Sequence, residues 1–416
     1  MSHMSNHRKR PHGHEELVKD HYNVKKETNR SDRNKSQIIV LRSFNNWIKQ
    51  IQIENSYQDL RKTNSPDIFE ERINSHTNAP TQRCKGLTVL DWCCGKGGDQ
   101  SKWKKIPVKH IDFVDISDQS IAECESRYNK NKQCRDKYSA NFYVQDCCKP
   151  VVHDALNRLY DIVSCQFAIH YAFESCEKAE QMIKNISDRL KPGAILIGTT
   201  VNDMELMARA RQNLKPEKIK QEKLPKPYKP ENVYGENQSS SEEEEEVSSN
   251  SLLPTPKTHR YFGNRVYSIK FDDSVDILNP PLFGCKYDFD LDGLITVPEF
   301  MVNKKLLIAI CDKFDLELVY YDPFRNFFTD AAKNEKHRYL LGVFKALQPF
   351  NERSYMFNAE IDEGMDFDRP RKAVQQLINK GKENYKEHQI GTMSMTDWEA
   401  ATLYSAFCFR KRGVTK

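Results

Sequence analysis

The most informative stretch of this chain covers residues 89–99, where an apolar strand leads directly into a glycine-rich turn with the sequence VLDWCCGKGGD. Glycines at 95, 97 and 98 tolerate positive φ and let the backbone approach a ligand more closely than side chains permit. A second apolar segment, residues 111–114, is followed by Asp115, roughly 20 residues after the turn, where a Rossmann-type sheet places an acceptor for ribose hydroxyls. Together these features predict a mononucleotide-binding half, although the glycine turn alone would be a weak signal.

The acid before the turn indicates which nucleotide binds. A nicotinamide site shows G-x-G-x-x-G, whereas here the pattern is D-x-C-C-G-x-G-G, and Asp91 is its first residue. Asp-x-Gly-x-Gly is the S-adenosylmethionine form, in which the strand-end acid helps hold the methionine end. Asp146 and Gln166 follow two later apolar segments, at carboxyl ends of strands where open α/β sheets bind ligands. Each alone is better explained as a helix cap or loop residue, but together they favour one site.

Apolar strand-like runs alternate with amphipathic stretches from residue 87 to about residue 200. This alternation predicts an α/β doubly wound sheet with mostly parallel strands. Residues 37–48 show helix-like apolar spacing, which predicts a helix leading into the domain. Residues 191–193, Lys-Pro-Gly, predict a turn between a helix and the next strand.

Length and charge set few limits on function. The chain has 416 residues, a formal net charge of +5 and a pI near 8.4. This mild basic excess permits nucleic acid or another anionic partner without requiring one. Residues 1–30 are basic and polar, which predicts a disordered N-terminal tail, with phosphate contact or a weak nuclear address as the alternatives.

Residues 215–257 interrupt the main domain, which we place at residues 31–416. They are rich in lysine, proline and serine and contain an uninterrupted acidic run at residues 242–246. Such a composition cannot bury apolar surface, so we expect a disordered insertion.

The 12 cysteines are scattered, and their closest pairs are Cys93-Cys94 and Cys147-Cys148. Without a C-x-x-C ladder they imply neither zinc nor disulfides. The chain start lacks the apolar core of a signal peptide, and no apolar run reaches membrane-spanning length. We therefore expect a reduced, intracellular, soluble protein without a membrane partner.

Eight segments in consistent order resemble the messenger RNA cap guanine-N7 methyltransferases of eukaryotes, over most of residues 21–410. They are HYN at 21–23, FNNWIK at 44–49, the glycine turn through KW at 102–103, VDISD at 114–118, SCQFAIHY at 164–171, FGCKYDF at 283–289, VPEF at 297–300 and DWEA at 397–400. The resemblance implies an α/β class I S-adenosylmethionine-dependent methyltransferase fold, with a Rossmann-like, mostly parallel sheet and flanking helices.

The resemblance also implies roles for individual residues. The residues expected to contact S-adenosylmethionine are Lys49, Cys93 through its backbone, Asp115, Asp146, Gln166 and Tyr171. The residues expected to line the guanosine and triphosphate pocket are Asn45, Asn46, Lys96, Lys102, Arg127, His170, Glu299 and Tyr404. The substrate would be 5′-capped RNA in the nucleus, bound by a monomeric catalytic unit without a metal. Whether an activating subunit or the capping and transcription machinery takes part stays open.

The residue types suit this chemistry. Glu299 can accept hydrogen bonds from N1 and N2 of guanine, a pairing that adenine cannot offer. The three cations of the cap pocket can offset triphosphate charge, while His170 and Tyr404 offer planar faces or hydrogen bonds. Guanine N7 carries a free lone pair at neutral pH, so the transfer needs no general base. We therefore expect catalysis by positioning and electrostatics, with no catalytic proton-transfer residue.

One departure from the family pattern is Cys93, which stands where the first glycine of Asp-x-Gly-x-Gly is expected. A positive φ there would cost about 1 kcal/mol or more and weaken cofactor binding. A capped-RNA-binding paralogue with a degenerate cofactor site is therefore the alternative function, and a methyltransferase of another substrate is the third. Cys93 and Cys94 as an oxidation-sensitive pair is a further hypothesis.

Overall fold

The computed structural model describes residues 19, 23, 38–63, 69–73, 80–130, 138–212, 260–291, 296–350, 372, 375–376, 379 and 390–413. The predicted N-terminal tail, apart from Lys19 and Asn23, lies outside these residues. The predicted insertion at 215–257 also lies outside them, so both stay predictions.

The described residues form fifteen strands. In chain order they are β1 Phe69–Ile73, β2 Pro80–Cys84, β3 Leu87–Trp92, β4 Val108–Asp115, β5 Ser139–Val144, β6 Tyr160–Gln166, β7 Leu190–Val201, β8 Tyr261–Gly263, β9 Tyr267–Phe271, β10 Lys286–Leu291, β11 Thr296–Phe300, β12 Leu316–Pro323, β13 Gln348–Phe350, β14 Ile390–Thr392 and β15 Tyr404–Lys411.

Nine α-helices accompany them in the described part of the chain. They are α1 Ile39–Lys62, α2 Gln100–Trp103, α3 Asp118–Lys130, α4 Cys176–Ser187, α5 Asp203–Gln212, α6 Lys304–Lys313, α7 Phe324–Ala331, α8 Glu335–Phe344 and α9 Met395–Ala401. Short 3₁₀ turns cover Asp154–Asn157 and Ile169–Glu174.

A seven-stranded sheet in the order β12-β15-β7-β6-β3-β4-β5 forms the central layer. Strands β7, β6, β3, β4 and β5 pair in parallel, whereas β15 runs antiparallel between β7 and β12. The chain moves outward from β3 through β4 to β5, then returns to the other side of β3 with β6. This reversal opens a crevice at the carboxyl ends of β3 and β6, where such sheets bind ligands. The predicted α/β class I methyltransferase fold is confirmed.

Helix α1 begins close to where the apolar spacing predicted it. Phe44, Trp47, Ile48 and Ile51 are fully buried at helical spacing. From the next turn, Gln52 Nε2 donates to the carbonyl of Gly198 at 3.0 Å, which ties the helix to β7. The helix is thus anchored across the central sheet beside the crevice.

Side-chain caps start four of the other helices. Ser175, Asn303, Asn334 and Ser394 each accept a hydrogen bond from a backbone amide in the first turn of the helix that follows. These are the residue types that satisfy free amides at a helix start, so the sequence itself determines these boundaries.

The predicted turn at residues 191–193 was wrong, because the segment belongs to β7. Leu190 already pairs with Tyr160 of β6, and Gly193 adopts φ +79°. The pairing then shifts register before Ile162 meets Ile195. The Pro-Gly pair is therefore an irregularity inside the strand rather than its boundary.

A smaller antiparallel sheet, in the order β11-β10-β9-β8, lies beside the central layer. Its apolar side chains, including Phe271, Tyr287 and Phe289, share one buried cluster with Phe44 and Trp47 of α1. This contact fixes the small sheet near the crevice, and β11 carries Glu299.

We predict that Gly198→Ala destabilises the protein by at least about 2 kcal/mol, because the interior is already closely packed there. An added Cβ would lie 2.2 Å from Cζ of Phe407 and 2.4 Å from the carbonyl oxygen of Cys165. Urea denaturation of the full chain measures the change. The control is Gly342→Ala, where a Cβ meets no atom within 4 Å and a helical alanine should stabilise slightly. Equal stabilities of the two variants would contradict the packing described for β7.

Candidate active site

The glycine turn between β3 and α2 is held by the acid that ends β4. Asp115 accepts hydrogen bonds from the amide of Gly95 at 2.8 Å and from the amide of Ser117 at 2.9 Å. Gly95 and Gly97 adopt φ of +51° and +68°, as their residue type allows. Burial raises the pKa of Asp115 to about 6, with the neighbouring Cys93 adding to the effect.

A cavity of about 280 Å³ lies at the carboxyl ends of β3, β4, β5 and β6. The structure brings all six residues predicted for the cofactor to its wall: Lys49, Cys93, Asp115, Asp146, Gln166 and Tyr171. Gln166 is oriented by two hydroxyls, since it donates to Ser164 Oγ at 3.2 Å and accepts from Thr199 Oγ1 at 3.1 Å. One cavity thus collects side chains from α1 and from four successive strand ends.

Cys93 adopts φ +60°, a left-handed conformation that a side chain makes costly. This is the positive φ that we expected to be costly where Cys93 replaces the first glycine of Asp-x-Gly-x-Gly. The thiol of Cys93 packs against the thiols of Cys147 and Cys165, and Cys147 also lines the cavity. These contacts give the side chain a place despite the strained backbone.

A buried ionic network lies behind the turn. Lys49 and Lys102 both contact Asp99 Oδ1, each at 2.7 Å, and Lys102 also donates to Asn46 Oδ1 at 2.8 Å. Burial would raise the pKa of Asp99, but the two ammonium groups hold it well below its usual value. Burial and the charge of Asp99 raise the pKa of Asp91 to about 7, although Trp103 Nε1 donates to it at 3.2 Å.

This network gives a structural role to Lys102 and Asn46, which were predicted to bind the cap. Lys102 is only 2% exposed, so its ammonium group lies inside the protein rather than on an open surface. Lys102 and Asn46 therefore brace α1 against the turn. Asn45 places its Oδ1 in an enclosed position without a hydrogen-bond partner in the described part of the chain.

Next to the cavity wall at Tyr171 lies a buried cluster of aromatic rings around one carboxyl group. The ring of His170 lies 4.2 Å from that of Tyr171, and its Nε2 lies 3.6 Å from Glu299 Oε1. Glu299 is 7% exposed, and Tyr287 donates its hydroxyl to Oε2 at 3.0 Å. Burial raises the pKa of Glu299 to about 8, while the Tyr287 hydrogen bond acts in the opposite direction.

Phe167 and Tyr404 extend the aromatic cluster to the wall of the cavity. The two rings meet edge to face with centroids 5.0 Å apart, and Phe167 also lines the cavity. Phe167 has φ +55°, and its amide donates to Thr199 Oγ1 at 2.9 Å. A strained residue of this kind is common where a site fixes an unusual chain direction.

Lys96 and Arg127 lie together beside the glycine turn. Lys96 Nζ is 2.5 Å from Glu123 Oε1, and Arg127 Nη2 is 3.7 Å from Oε2 of the same residue. Their side chains remain about a quarter exposed. The cluster places two cations within reach of solvent on the surface around α3.

Sequence reasoning missed Tyr287 and Phe167. Both fall inside segments that carry the family resemblance, so the motifs drew attention to them without assigning a role. Tyr287 reaches Glu299 because the two residues are paired directly across β10 and β11. No local pattern could show that pairing. Among the described residues, no group of three or more His, Cys, Asp or Glu has an arrangement that could hold a metal, and no helix is long and apolar enough to cross a membrane.

We predict that Cys93→Gly is more stable than Cys93→Ala by about 1 kcal/mol, because both remove the thiol but only glycine relieves the positive φ. Chemical denaturation measures the difference in the free energy of unfolding between the two variants. The loss of the thiol contacts cancels, because both variants lack the thiol. The same pair at Cys408, which lies in regular strand β15, should rank in the opposite order. An alanine variant as stable as the glycine variant at position 93 would show that the backbone there is unstrained.

Comparison with known proteins identifies the family. The mRNA (guanine-N(7))-methyltransferase domain matches residues 5–223 and 247–412, and the break lies within the predicted insertion. The mRNA cap guanine-N(7) methyltransferase of Drosophila melanogaster is 30% identical over 404 residues, which cover 95% of this chain and 77% of that protein. The protein of the same name in Caenorhabditis briggsae is 29% identical, covering 96% and 87%, and that of Schizosaccharomyces pombe 28%, covering 80% and 75%.

Solved structures add only distant similarity. An S-adenosylmethionine-dependent methyltransferase from Clostridium acetobutylicum ATCC 824 is 10% identical with a TM-score of 0.36, covering 78% of this chain and 84% of that chain. One from Methanosarcina mazei is 11% identical with a TM-score of 0.35, covering 79% and 94%. The fold assignment therefore rests on the strand order of the central sheet, and the family assignment on the match along the sequence: the chain belongs to the mRNA (guanine-N7)-methyltransferase family.

Proposed function

We propose that this protein transfers a methyl group from S-adenosylmethionine to N7 of the guanosine that caps messenger RNA. The observation that carries the proposal is the buried carboxyl group of Glu299 in an aromatic cluster that adjoins the cavity. Tyr171 and Phe167 belong to the wall of the cavity and also contact His170 and Tyr404 of that cluster. A purine held there would lie next to the bound methyl donor.

The cavity fits an adenosine nucleoside that carries a methionine. Gly95 and Gly98 line it, and a Cβ added at either position would meet no atom within 4 Å, so the glycines leave open space for a ligand. Asp115 ends β4, where a carboxylate can accept hydrogen bonds from ribose hydroxyls. S-adenosylmethionine, when bound, supplies an electrophilic methyl group on a positively charged sulfur. We assign its binding to the six cavity residues named above.

Glu299 is the group best suited to recognise guanine. As a carboxylate it accepts hydrogen bonds from N1–H and N2–H, which adenine does not present together on that edge. The phenol of Tyr287 stays protonated, since burial and the nearby Glu299 raise its pKa well above the usual value, and it orients one carboxyl oxygen. The rings of His170 and Tyr404 enclose the purine, while Lys96 and Arg127 offset the charge of the triphosphate.

The reaction needs no general base, because N7 of guanine carries an available lone pair and loses no proton. The protein contributes by aligning N7 with the methyl group and by excluding water from the pocket. We therefore assign His170 a binding role, together with Glu299. No single substitution in this set should remove a proton-transfer step.

We place the enzyme in the nucleus on capped transcripts, acting as a monomeric catalytic unit without a metal. The family name of its relatives supports the RNA substrate. The requirement for an activating subunit or for the transcription machinery is a separate question, which the assay below addresses with the isolated chain.

We predict that the purified full chain transfers labelled methyl from S-adenosylmethionine to GpppA and GpppG but not to ApppA. Nuclease digestion should place the label on N7 of guanosine. Failure to label either guanosine cap, despite binding of both cap and cofactor, would point to a missing activator. Cap binding without cofactor binding would favour the degenerate paralogue. Label on ApppA or on another class of acceptor would favour a different methyltransferase.

The pKa of Glu299, raised to about 8 in the free protein by burial, predicts a pH-dependent specificity. Below that pH the carboxyl group is largely protonated and loses acceptor capacity, so kcat/KM for GpppA should rise as the pH passes through about 8 and then level. Glu299→Gln should lower kcat/KM at pH 8.5 roughly 10- to 100-fold and abolish this rise, because it removes a charged hydrogen bond.

Initial rates from pH 6.5 to 9.5, at saturating S-adenosylmethionine, measure both effects. Glu123→Gln is the matched control, since Glu123 lies beside the proposed phosphate contacts rather than the base. Its profile should keep the wild-type shape. A rise that persists in Glu299→Gln would assign the titration to another group, such as His170 or the substrate.

A further inference from the structure

Thiols are concentrated at the cofactor end of the sheet. Cys93, Cys94, Cys147 and Cys148 all line the cavity. Cys93 follows β3 and Cys147 follows β5, so the two belong to different loops of the cavity wall. Cys93 packs against the buried cluster that contains Cys147 and also Cys165, which is fully buried at the end of β6.

The adjacent pair suggested by the sequence is not the pair in contact. The Cys94 thiol donates to the carbonyl of Gly95 at 3.4 Å, and Cys94 packs against a different buried cluster, which contains Cys124. The left-handed backbone of Cys93 places consecutive side chains in different surroundings. Cys147 is therefore a nearer reaction partner for Cys93 than its neighbour in the chain.

We propose that Cys93 is a site of reversible oxidation by hydroperoxides, and that it forms a disulfide with Cys147 that closes the cofactor cavity. Cys147 rather than Cys165 is the partner, because Cys147 lines the same cavity while Cys165 is fully buried behind it. The consequence for ligand binding rests on the proposed cofactor site. The formation of the disulfide does not.

The chemistry balances with hydrogen peroxide as the oxidant. The Cys93 sulfur, as thiolate, attacks one peroxide oxygen; the O–O bond breaks, and hydroxide leaves and takes up a proton to form water. The Cys147 sulfur then attacks the sulfenic sulfur, and the S–O bond breaks. The hydroxyl leaves as a second water with the proton of the Cys147 thiol. Two thiols lose two electrons in total, and one peroxide becomes two waters.

The surroundings of Cys93 favour the first step. It is only partly buried and opens to the cavity, so a small peroxide can reach it. Interactions with the thiols of Cys147 and Cys165 lower the pKa of the Cys93 thiol, although burial and the charge of Asp146 oppose this. Burial, together with Cys93, raises the pKa of Cys147. The two thiols thus differ in character, Cys93 as the nucleophile and Cys147 as the resolving thiol.

Closing this bond would alter the cavity directly. Cys93 belongs to the glycine turn, and Cys147 immediately follows Asp146, which is itself a cavity residue. A covalent S–S bond is about 2.0 Å long, shorter than any contact between free thiols, so it draws the two loops together. We expect the affinity for S-adenosylhomocysteine to fall about 10-fold or more, as expected from a shift of cavity groups by about 1 Å.

The test treats the full-length protein with hydrogen peroxide, without ligand, and then removes the peroxide. Peptide mass spectrometry maps disulfides, and calorimetry measures S-adenosylhomocysteine affinity before oxidation, after it, and after dithiothreitol. We expect a Cys93–Cys147 linkage, a loss of affinity, and recovery on reduction. If untreated protein fails to bind the ligand, the proposed cofactor site is wrong, but the mapped linkage still decides the oxidation proposal.

Three variants test the roles of the individual cysteines. Each oxidised variant is compared with its own untreated sample, so a change in affinity caused by the substitution itself does not affect the result. Cys147→Ser should abolish the linkage and leave Cys93 as a sulfenic acid, which a dimedone adduct detects. Cys148→Ser, at the next position in the same loop, and Cys165→Ser should retain the linkage and the loss of affinity. A disulfide from Cys93 to Cys165 or to Cys94 would overturn the proposal. So would an oxidised sample in which other cysteines form disulfides while Cys93 does not.

Discussion

The hydrogen bonds from two backbone amides to Asp115 are the interaction on which the site depends. The bond from Gly95 joins the residue that ends β4 to the turn that leaves β3, and the bond from Ser117 fixes the carboxylate within its own loop, so the two parallel strand ends are held together. The turn contains three glycines and has little side-chain packing of its own to hold its shape. A buried carboxylate that accepts two amide hydrogens is therefore both the brace of the turn and a wall of the cavity.

Charge is distributed differently at the two ends of the site. Behind the turn, Asp99 is neutralised by Lys49 and Lys102, which lets an acid remain charged in the interior. Glu299 instead has a phenol and an imidazole beside it, and burial raises its pKa to about 8 although the Tyr287 hydrogen bond opposes this. The first arrangement suits a rigid support. The second suits a carboxyl group that gains its charge partners from a ligand.

Cys93 shows how a departure from a glycine motif is accommodated. The backbone keeps the left-handed conformation that glycine would adopt freely, and the side chain packs between two other thiols. The cost of that conformation is small beside the packing and hydrogen bonds that hold the turn. The substitution therefore keeps the backbone of the glycine turn while adding a sulfur atom to the wall of the cavity.

The sequence by itself determined the strand, turn and acid pattern, helix α1, and the strand-end residues Asp115, Asp146 and Gln166 of the cavity, because carboxyl ends of adjacent parallel strands must share one edge. Lys49, Cys93 and Tyr171 were predicted from the family resemblance instead. Only the tertiary structure paired Tyr287 with Glu299, buried Lys102 against Asp99, and brought Cys93 to Cys147 and Cys165. It also placed residues 191–193 inside β7, against the local turn signal. These features arise from contacts between segments far apart in the chain, and local residue patterns carry no information about the distance between them.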